Sequence, residues 1–280
     1  MFLAVDVGNS ETKLGFFDSA REGGLALRRT WRINTDRRRT ADEFGVVFAT
    51  LLGQAGIETG RVGAVGVSSV VPQSDRALAE ACREYFHCEP AFFSAAHQSL
   101  MEVTIERPKE LGSDLLLGAV AAKRRYGTPL IVVGFGTATT YGAVSREGEY
   151  IGTAIAPGLQ ISIDALVSRT AKLPQVALEA PNGPIGRDTV SSMQAGIIFG
   201  FVGQTEGIVG RMRHAIGEDA SVVATGGLAG IVARHTASID ACEPDLVLLG
   251  LCDAHLSVTE VTSNAGSIRP IPTKGDDLII

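Results

Sequence analysis

Two glycine turns are the residues of this chain best suited to hold an anion. One apolar run ends in Asp6-Val7-Gly8-Asn9-Ser10 and another in Gly134-Phe135-Gly136-Thr137-Ala138; at an offset of 128 residues, Gly8 superposes on Gly136. Each turn leads into a second β-type run, which predicts a hairpin whose tip brings backbone N–H groups close to an anion. Two such turns predict two half-domains that face each other across a nucleotide phosphate tail.

A third glycine turn has the composition expected around a nucleoside. The β-branched run 221–225 leads into Gly226 and Gly227. Two adjacent glycines leave no side chain between a flat ring and the backbone, so this turn can hold a nucleoside. One glycine turn after a strand is weak evidence for a site. The order of the three turns is more specific, and it indicates a nucleotide-binding chain.

Few charged side chains accompany these turns. Asp6 could hold Mg²⁺ through water, because Mg²⁺ takes few carboxylates and keeps several waters. Lys13 could reach a phosphate or face solvent, and the sequence favours neither alternative. The turns themselves would supply backbone cradles for the phosphoryl oxygens. Their members are Gly8, Asn9 and Ser10 in the first cradle and Gly136, Thr137 and Ala138 in the second.

Composition and charge indicate a soluble, turn-rich α/β protein with small side chains in its clefts. The chain has 280 residues, enough for about two domains, and 45% of them are hydrophobic. A formal net charge of −6 argues against a nucleic-acid surface, and the arginines of segment 28–39 fit a solvated loop or hairpin edge. Without a bilayer-length apolar stretch, a leader or disulfide-type cysteine spacing, we expect a cytoplasmic protein with no membrane partner.

Local signals place helices between the strands, which predicts an α/β fold. A capping box at Thr40 predicts a helix to about Ala55, and Ser74 is expected to cap a helix ending at Phe86. Residues 111–126 are expected to be helical, and 257–280 to form a mobile polar tail. A long helix after Asp188 contains several glycines, each costing roughly 1 kcal/mol relative to alanine, so close approach of another helix is expected there.

Six short motifs follow one another along the chain. They are Asp6-Val7-Gly8-Asn9-Ser10, Gly112-Ser113-Asp114-Leu115, Gly134-Phe135-Gly136-Thr137-Ala138-Thr139-Thr140, Gly152-Thr153-Ala154-Ile155-Ala156-Pro157-Gly158, Ile185-Gly186-Arg187-Asp188-Thr189 and Thr225-Gly226-Gly227. In this order they resemble the motifs of the acetate kinase, sugar kinase, Hsp70 and actin superfamily and, within it, of the type III pantothenate kinases. The resemblance extends from Phe2 to about Leu251.

This resemblance implies a duplicated actin-like (ribonuclease H-like) two-domain fold with an interdomain nucleotide cleft. The expected domains are 1–115 and 116–256, followed by the tail. It implies phosphorylation of pantothenate by ATP with Mg²⁺ and a monovalent cation, usually potassium, in a homodimer. Asp114 would be the general base, although an acid at a helix start can also be a simple cap. The substrate residues would be Gly112, Ser113, Asp114 and, across the dimer, Thr189.

Three positions depart from the family pattern. Leu115 stands where an arginine would bind the pantothenate carboxylate, Gly134 where an aspartate accompanies the monovalent cation, and Gly142 where a third acid is usual. Three hypotheses therefore remain open. The chain is an active pantothenate kinase with an altered acid set, a weakened homologue that serves as a nucleotide-binding regulatory or partner subunit, or another small-molecule kinase of the superfamily.

Overall fold

The computed structural model describes residues 1–20 and 24–264, and it divides into two similar halves. The first half is built on a five-stranded sheet with the order β3-β2-β1-β4-β5. Its elements are β1 (Phe2–Val7), β2 (Glu11–Ser19), β3 (Leu25–Asn34), α1 (Ala41–Gln54), β4 (Ala64–Ser69), α2 (Pro72–Phe86), β5 (Ala91–Phe92) and α3 (Ser113–Tyr126).

The second half repeats this arrangement around its own five-stranded sheet. Its strand order is β10-β9-β6-β7-β8, in which β6 and β7 occupy the places of β1 and β2. The elements are β6 (Leu130–Phe135), β7 (Ala138–Val144), β8 (Tyr150–Pro157), α4 (Leu159–Ser168), α5 (Thr189–Ile216), β9 (Ser221–Thr225), α6 (Ala229–Ala233), β10 (Ala241–Cys242) and α7 (Leu246–Asn264).

Strand pairing follows one plan in both sheets. The central strand of each pairs antiparallel with the next strand along the chain and parallel with a later one: β1 with β2 and β4, β6 with β7 and β9. Both strands of each hairpin are rich in buried apolar residues, because helices cover the two faces of each sheet. The internal repeat predicted from the two glycine turns is therefore a structural repeat.

Helices α1 and α2 cover the outer face of the first sheet, and α5 and α6 cover the outer face of the second. Phe44 and Phe48 of α1 pack with Leu78 of α2 on strand residues of the first sheet. In the second half, Ile198 of α5 and Val232 of α6 pack on the apolar side of β6 and β9. The capping box predicted at Thr40 is present, and it starts α1.

The inner faces of the two sheets are covered by exchanged helices. Helix α3 ends the first half in sequence, yet its residues Leu116 and Val120 pack on the second sheet. Helix α7 ends the second half, yet Leu248 and Leu251 pack on the first sheet. The two helices also pack against each other, and a Cβ on Gly250 would overlap with the backbone of α3. The domain 116–256 expected from the sequence thus contributes its last helix to the other half.

Two local predictions need correction. Helix α2 starts at Pro72 with Val71 as its N-cap, so Ser74 lies inside the helix and does not cap it; proline is favoured at a first helical position because its fixed φ suits the helix. The tail expected from Ser257 begins inside α7, where Ser257 Oγ donates to Asp253 O one turn earlier. Residues 265–280 lie outside the described part of the chain.

No helix in the described ranges is long and apolar enough to cross a membrane.

Candidate active site

The first glycine turn is a tight hairpin tip between β1 and β2. Gly8 N donates to Glu11 O at 3.0 Å, and a Cβ on Gly8 would lie 3.0 Å from that same oxygen. Asn9 and Ser10 occupy the tip and are exposed. The turn therefore presents small polar groups and backbone to the space in front of the first sheet, as predicted.

The second turn is held from below by another glycine. Gly136 N donates to Ala138 O at 3.1 Å, and Gly158 N donates to Thr137 O at 3.2 Å. A Cβ on Gly158 would overlap with the carbonyl groups of Gly136 and Thr137. Gly158 is thus the support on which the second turn rests, and a side chain there would displace the turn.

The two turns face each other from different sheets. Ser10 Oγ and Thr137 Oγ1 lie 2.9 Å apart, within hydrogen-bond distance. The two hairpins, which begin 128 residues apart in the chain, therefore meet tip to tip at the boundary between the halves. The two glycine turns therefore face each other across the boundary between the halves, and their binding of phosphate stays a prediction.

The Gly-Gly turn lies beside the second phosphate turn. Strand β9 runs parallel to β6, so Gly226 follows β9 at the same edge of the sheet at which Gly136 follows β6. Gly226 has a φ of +97°, and a Cβ there would lie 2.5 Å from Phe135 O. Only glycine meets both requirements, the left-handed backbone and the close approach.

A row of four polar side chains crosses the inner face of the first sheet next to its turn. Asp6 pairs with Lys13 and with Ser68, and Lys13 pairs with Arg32, so that the four lie side by side on adjacent strands. The buried Ser68 Oγ lies 2.9 Å from Ser113 Oγ, at the start of α3. We call Arg32, Lys13, Asp6 and Ser68 the charged row.

The carboxyls of Asp6 and Asp114 lie close enough to affect each other. Burial and then the neighbouring Asp114 charge raise the pKa of Asp6 to about 7, against the opposing effects of Lys13 and of a hydrogen bond from Ser68. Burial also raises the pKa of Asp114, although backbone N–H groups at the start of α3 partly offset it. A Cβ on Gly112 would lie 2.5 Å from Asp114 Oδ1, so this glycine makes room for the carboxyl.

Lys13 is engaged with the second half of the chain. Its Nζ donates to Pro244 O at 2.6 Å and lies 3.6 Å from Asp245 Oδ1, just before α7. The ammonium that was expected either to reach a phosphate or to face solvent is thus bound to protein. It links the charged row to the helix exchanged from the other half.

The three departures from the family pattern sit in distinct surroundings. Leu115 packs against an apolar cluster that includes Met101 and Leu111. A Cβ on Gly134 would lie 2.6 Å from Thr140 Oγ1, and one on Gly142 would lie 2.7 Å from the Tyr150 hydroxyl. Hydroxyl groups therefore occupy the space into which acidic side chains at 134 and 142 would project.

Thr189 lies apart from these groups, in the first turn of α5. It lines an apolar pocket together with Leu166, Leu173, Met193 and Ile197. Asp188 caps the helix, accepting from Ser191 N at 2.9 Å. Among the described residues, the lining of this pocket does not include Asp114, and the role of Thr189 in a partner's site stays a prediction.

Sequence reasoning overlooked several residues at the cleft. Ser68 contacts Ser113 and Asp6, and Gly158 supports the second turn. Arg32 and Arg37 extend from a segment interpreted as a solvated loop or hairpin edge. β3 is indeed the edge strand of its sheet. The glycine of the Pro157-Gly158 motif was a usable signal, whereas Ser68 becomes visible only through strand register.

The Mg²⁺ expected here would find few protein ligands. Within residues 1–20 and 24–264, no three His, Cys, Asp or Glu side chains are placed to hold a metal ion together. Asp6, with Asp114 nearby, fits an ion that takes one or two carboxylates and otherwise binds water and phosphate.

Two sheets of this topology with facing glycine turns define an actin-like fold of the kind found in sugar kinases. A Sinorhizobium meliloti protein named as a 2-dehydro-3-deoxygalactonokinase superposes with a TM-score of 0.54 at 13% identity, covering 92% of this chain and 97% of its own. A Campylobacter jejuni protein named as a Baf family transcriptional activator gives 0.55 at 17% identity, covering 92% and 99%. These likenesses confirm the predicted fold.

Comparison of the sequence identifies the family, whereas the structural likenesses show only the fold. A model of the type III pantothenate kinase family matches residues 2–211. A type III pantothenate kinase of Geobacillus thermodenitrificans is 43% identical over 251 residues, covering 90% of this chain and 95% of the relative. One from Anaeromyxobacter sp. (strain K) is 42% identical over 255 residues, covering 91% and 98%. The chain belongs to the type III pantothenate kinase family.

Proposed function

We propose that this protein is an ATP-dependent pantothenate kinase, which forms 4′-phosphopantothenate in the first step of coenzyme A biosynthesis. The observation that carries the proposal is the meeting of the two phosphate turns beside Asp6 and Asp114. Phosphoryl transfer needs phosphate donors, a metal ligand and a base for the attacking hydroxyl within one cleft. Family membership gives the substrate.

Asp114 is the general base in this proposal. Burial raises the pKa of Asp114, which makes its carboxylate a better proton acceptor than an exposed aspartate, and the backbone N–H groups at the start of α3 oppose this shift. It accepts the proton of the pantothenate hydroxyl as that oxygen attacks the γ-phosphorus and ADP leaves. The backbone N–H groups of Asp114 and Leu115 hold the carboxyl in place, and Gly112 leaves the space that it occupies. Ser113 contacts Ser68 and so ties the start of α3 to the first sheet.

The remaining groups bind the nucleotide. The N–H groups of Asn9 and Ser10 would bind the phosphate tail from one side, and that of Thr137 from the other. Gly8 N and Gly136 N donate within their own turns, so these two glycines keep the turns tight. Gly226 and Gly227 hold the nucleoside. Asp6 would hold Mg²⁺, which when bound neutralises phosphate charge. Lys13 reaches the nucleotide only if it leaves Pro244 O.

Potassium dependence is not expected of this chain. The position at which the family has its acid is Gly134, and Thr140 Oγ1 fills the adjacent space. Gly134 pairs with Thr140 on one neighbouring strand and with Thr225 on the other, and both residues are neutral. A monovalent cation would find carbonyl and hydroxyl oxygens here, but no carboxylate.

The same departures support a second candidate function, a weakened homologue that binds nucleotide as a regulatory or partner subunit. Leu115 belongs to an apolar cluster and offers no charge to the pantothenate carboxylate. A charge-assisted hydrogen bond is typically worth about 1.5 to 3 kcal/mol, so its loss alone reduces affinity without abolishing catalysis. We therefore place the active kinase first.

A cytoplasmic homodimer is part of the proposal. On α5, added Cβ atoms at Gly196, Gly200, Gly203 and Gly210 would meet nothing within 4 Å, so this face is open for a second helix. Ile185 and Val190, near Thr189, are 83% and 43% exposed. A partner chain seated there would cover apolar surface and bring Thr189 to the other active site.

Turnover by the purified full chain decides between the candidates. ADP release and the mass of the product would be followed with pantothenate and Mg²⁺–ATP, with potassium or with sodium as the only monovalent cation. We expect 4′-phosphopantothenate at equal rates in both salts. Binding of ATP without product in either salt would refute the active kinase and support the regulatory homologue.

A further inference from the structure

Two arginines of the basic segment 28–39 reach the glycine turns. Arg37 Nη2 donates to Asn9 Oδ1 at 3.3 Å, at the tip of the first phosphate turn. Arg32 Nη1 lies 3.4 Å from the position of a Cβ on Gly227, so its guanidinium extends from the first sheet to the Gly-Gly turn of the second. One guanidinium thus stands at each end of the nucleotide cleft.

A β-bulge directs Arg32 into the cleft. Strand β3 has one extra residue opposite Phe16 and Phe17, so the side chains before and after the bulge point to opposite faces. Leu25 and Leu27 pack under α7, whereas Trp31 and Ile33 pack with the outer helices. Arg32 therefore faces inward, in register with Lys13 and Asp6.

Both guanidiniums are open to an anionic ligand. Among the described residues, no carboxylate lies within ion-pair distance of Arg32 or Arg37. Their neighbours differ: Arg38 pairs with Asp36, and Arg28 donates to Ser19 O at 2.6 Å. Lys13, the other cation of the charged row, is bound at Pro244 and Asp245.

We propose that Arg32 and Arg37 bind the phosphate groups of the nucleotide. Arg37, beside the first turn, takes the terminal phosphate, and Arg32, beside the Gly-Gly turn, takes the phosphate next to the nucleoside. A planar guanidinium matches phosphate oxygens in a two-pronged contact that an ammonium cannot make. This inference rests on the proposed nucleotide site and adds the residues that supply its positive charge.

Calorimetric titration of the full chain with ATP, ADP, AMP and adenosine tests the assignment. We expect Arg37→Gln to weaken ATP binding about ten-fold or more and to leave AMP binding unchanged, because the terminal phosphate loses a charge-assisted contact. Arg32→Gln should weaken ATP, ADP and AMP to a similar extent, and adenosine not at all. Both side chains are exposed, so glutamine leaves the fold intact.

Arg38→Gln is the matched control, because Arg38 lies in the same segment and is paired outside the cleft. Its nucleotide affinities should equal those of the wild type. Arg32→Gln and Arg37→Gln proteins that bind all nucleotides as the wild type does would overturn this inference and leave the proposed function standing. A wild-type chain that binds no ATP would overturn both.

Discussion

The inner faces of the two sheets carry equivalent rows of residues with opposite character. In the first half, the charged row lies beside the phosphate turn. In the second half, the row beside the turn, which we call the neutral row, has no charge. Pairing aligns Arg32, Lys13, Asp6 and Ser68 in the charged row, and Ile155, Thr140, Gly134 and Thr225 in the neutral row.

This difference indicates that the two halves contribute different things to the site. The first half supplies the acids and the cations, together with Asp114 at the start of α3. The second half supplies shape: a turn supported by Gly158, a glycine pair beside Phe135, and hydroxyls in place of acids. We therefore expect substitutions of the acids in the first half to affect chemistry and substitution of Arg32 to affect phosphate binding. Substitutions in the second half should affect how well the nucleotide fits.

The largest effect should come from the base. Asp114→Asn is expected to lower kcat by about 100-fold or more, because the hydroxyl loses its proton acceptor, with little change in ATP affinity. Asp75→Asn is a suitable control, since burial raises the pKa of that acid too, yet it lies in α2 on the outer face. ADP release measures kcat, and equal values for the two variants would show that Asp114 is not the general base.

The charged row should also make stability depend on pH. The pKa of Asp6 is raised from 3.8 to about 7, so the folded chain binds more protons than the unfolded chain between these values, and stability falls as pH rises through 7. Asp6→Asn should remove this loss, on the order of 2 kcal/mol after allowing for solvent access. Urea unfolding at pH 5 and pH 8 measures it; an unchanged pH dependence in the variant would argue against the buried acid pair.

The supporting glycine of the second half should govern nucleotide affinity. Gly158→Ala places a methyl group against the carbonyls beneath the second turn, and overpacking of this kind costs about 1 to 3 kcal/mol. Because the turn must shift to relieve the overlap, its contacts with the phosphate tail weaken, and ATP should bind roughly ten-fold more weakly. Gly152→Ala is the matched control, because Gly152 lies on β8, the strand that ends just before Gly158, and its Cβ would meet nothing within 4 Å. If calorimetry finds the same ATP affinity in both variants, the second turn does not hold the phosphate tail.

Restoring the family's charged residues at positions 115 and 134 should distinguish an active kinase from a degenerate homologue. Leu115→Arg supplies a partner for the pantothenate carboxylate and should lower the KM for pantothenate about ten-fold in an active enzyme. Gly134→Asp needs the additional change Thr140→Ala, because Thr140 Oγ1 fills that space, and the pair should introduce stimulation by potassium. An inert wild type that gains turnover with all three changes would identify a degenerate homologue.

The smallest effect should come from the glycines of α5. On a free helix surface, Gly200→Ala would stabilise the protein by about 1 kcal/mol, the difference in helix propensity. In a close-packed dimer the methyl group separates the two helices, so we expect lower thermal stability and partial dissociation in light scattering. A stabilised monomer would contradict the proposed homodimer.

Local signals were enough to predict most of the scaffold. The glycine turns, the capping box at Thr40 and the repeat define two hairpin-based halves, and each is found in the structure. The inward direction of Arg32 could not be predicted, because alternation along β3 breaks at a bulge that depends on pairing with β2. Ser74 was wrongly predicted to cap α2, because Pro72 is a stronger signal for the start of a helix than a serine two residues later.

The exchange of α3 and α7 between the sheets bears on how the chain is made. During synthesis the first sheet emerges early, but the helix that covers Phe2 and Phe17 is translated only after residue 245. Until then these apolar side chains lack the part of their native cover that α7 provides, so we expect the nascent first half to complete its fold only late in synthesis. We expect a gene fragment that ends before α7 to yield an aggregating product, and the two sheets of the full chain to unfold together.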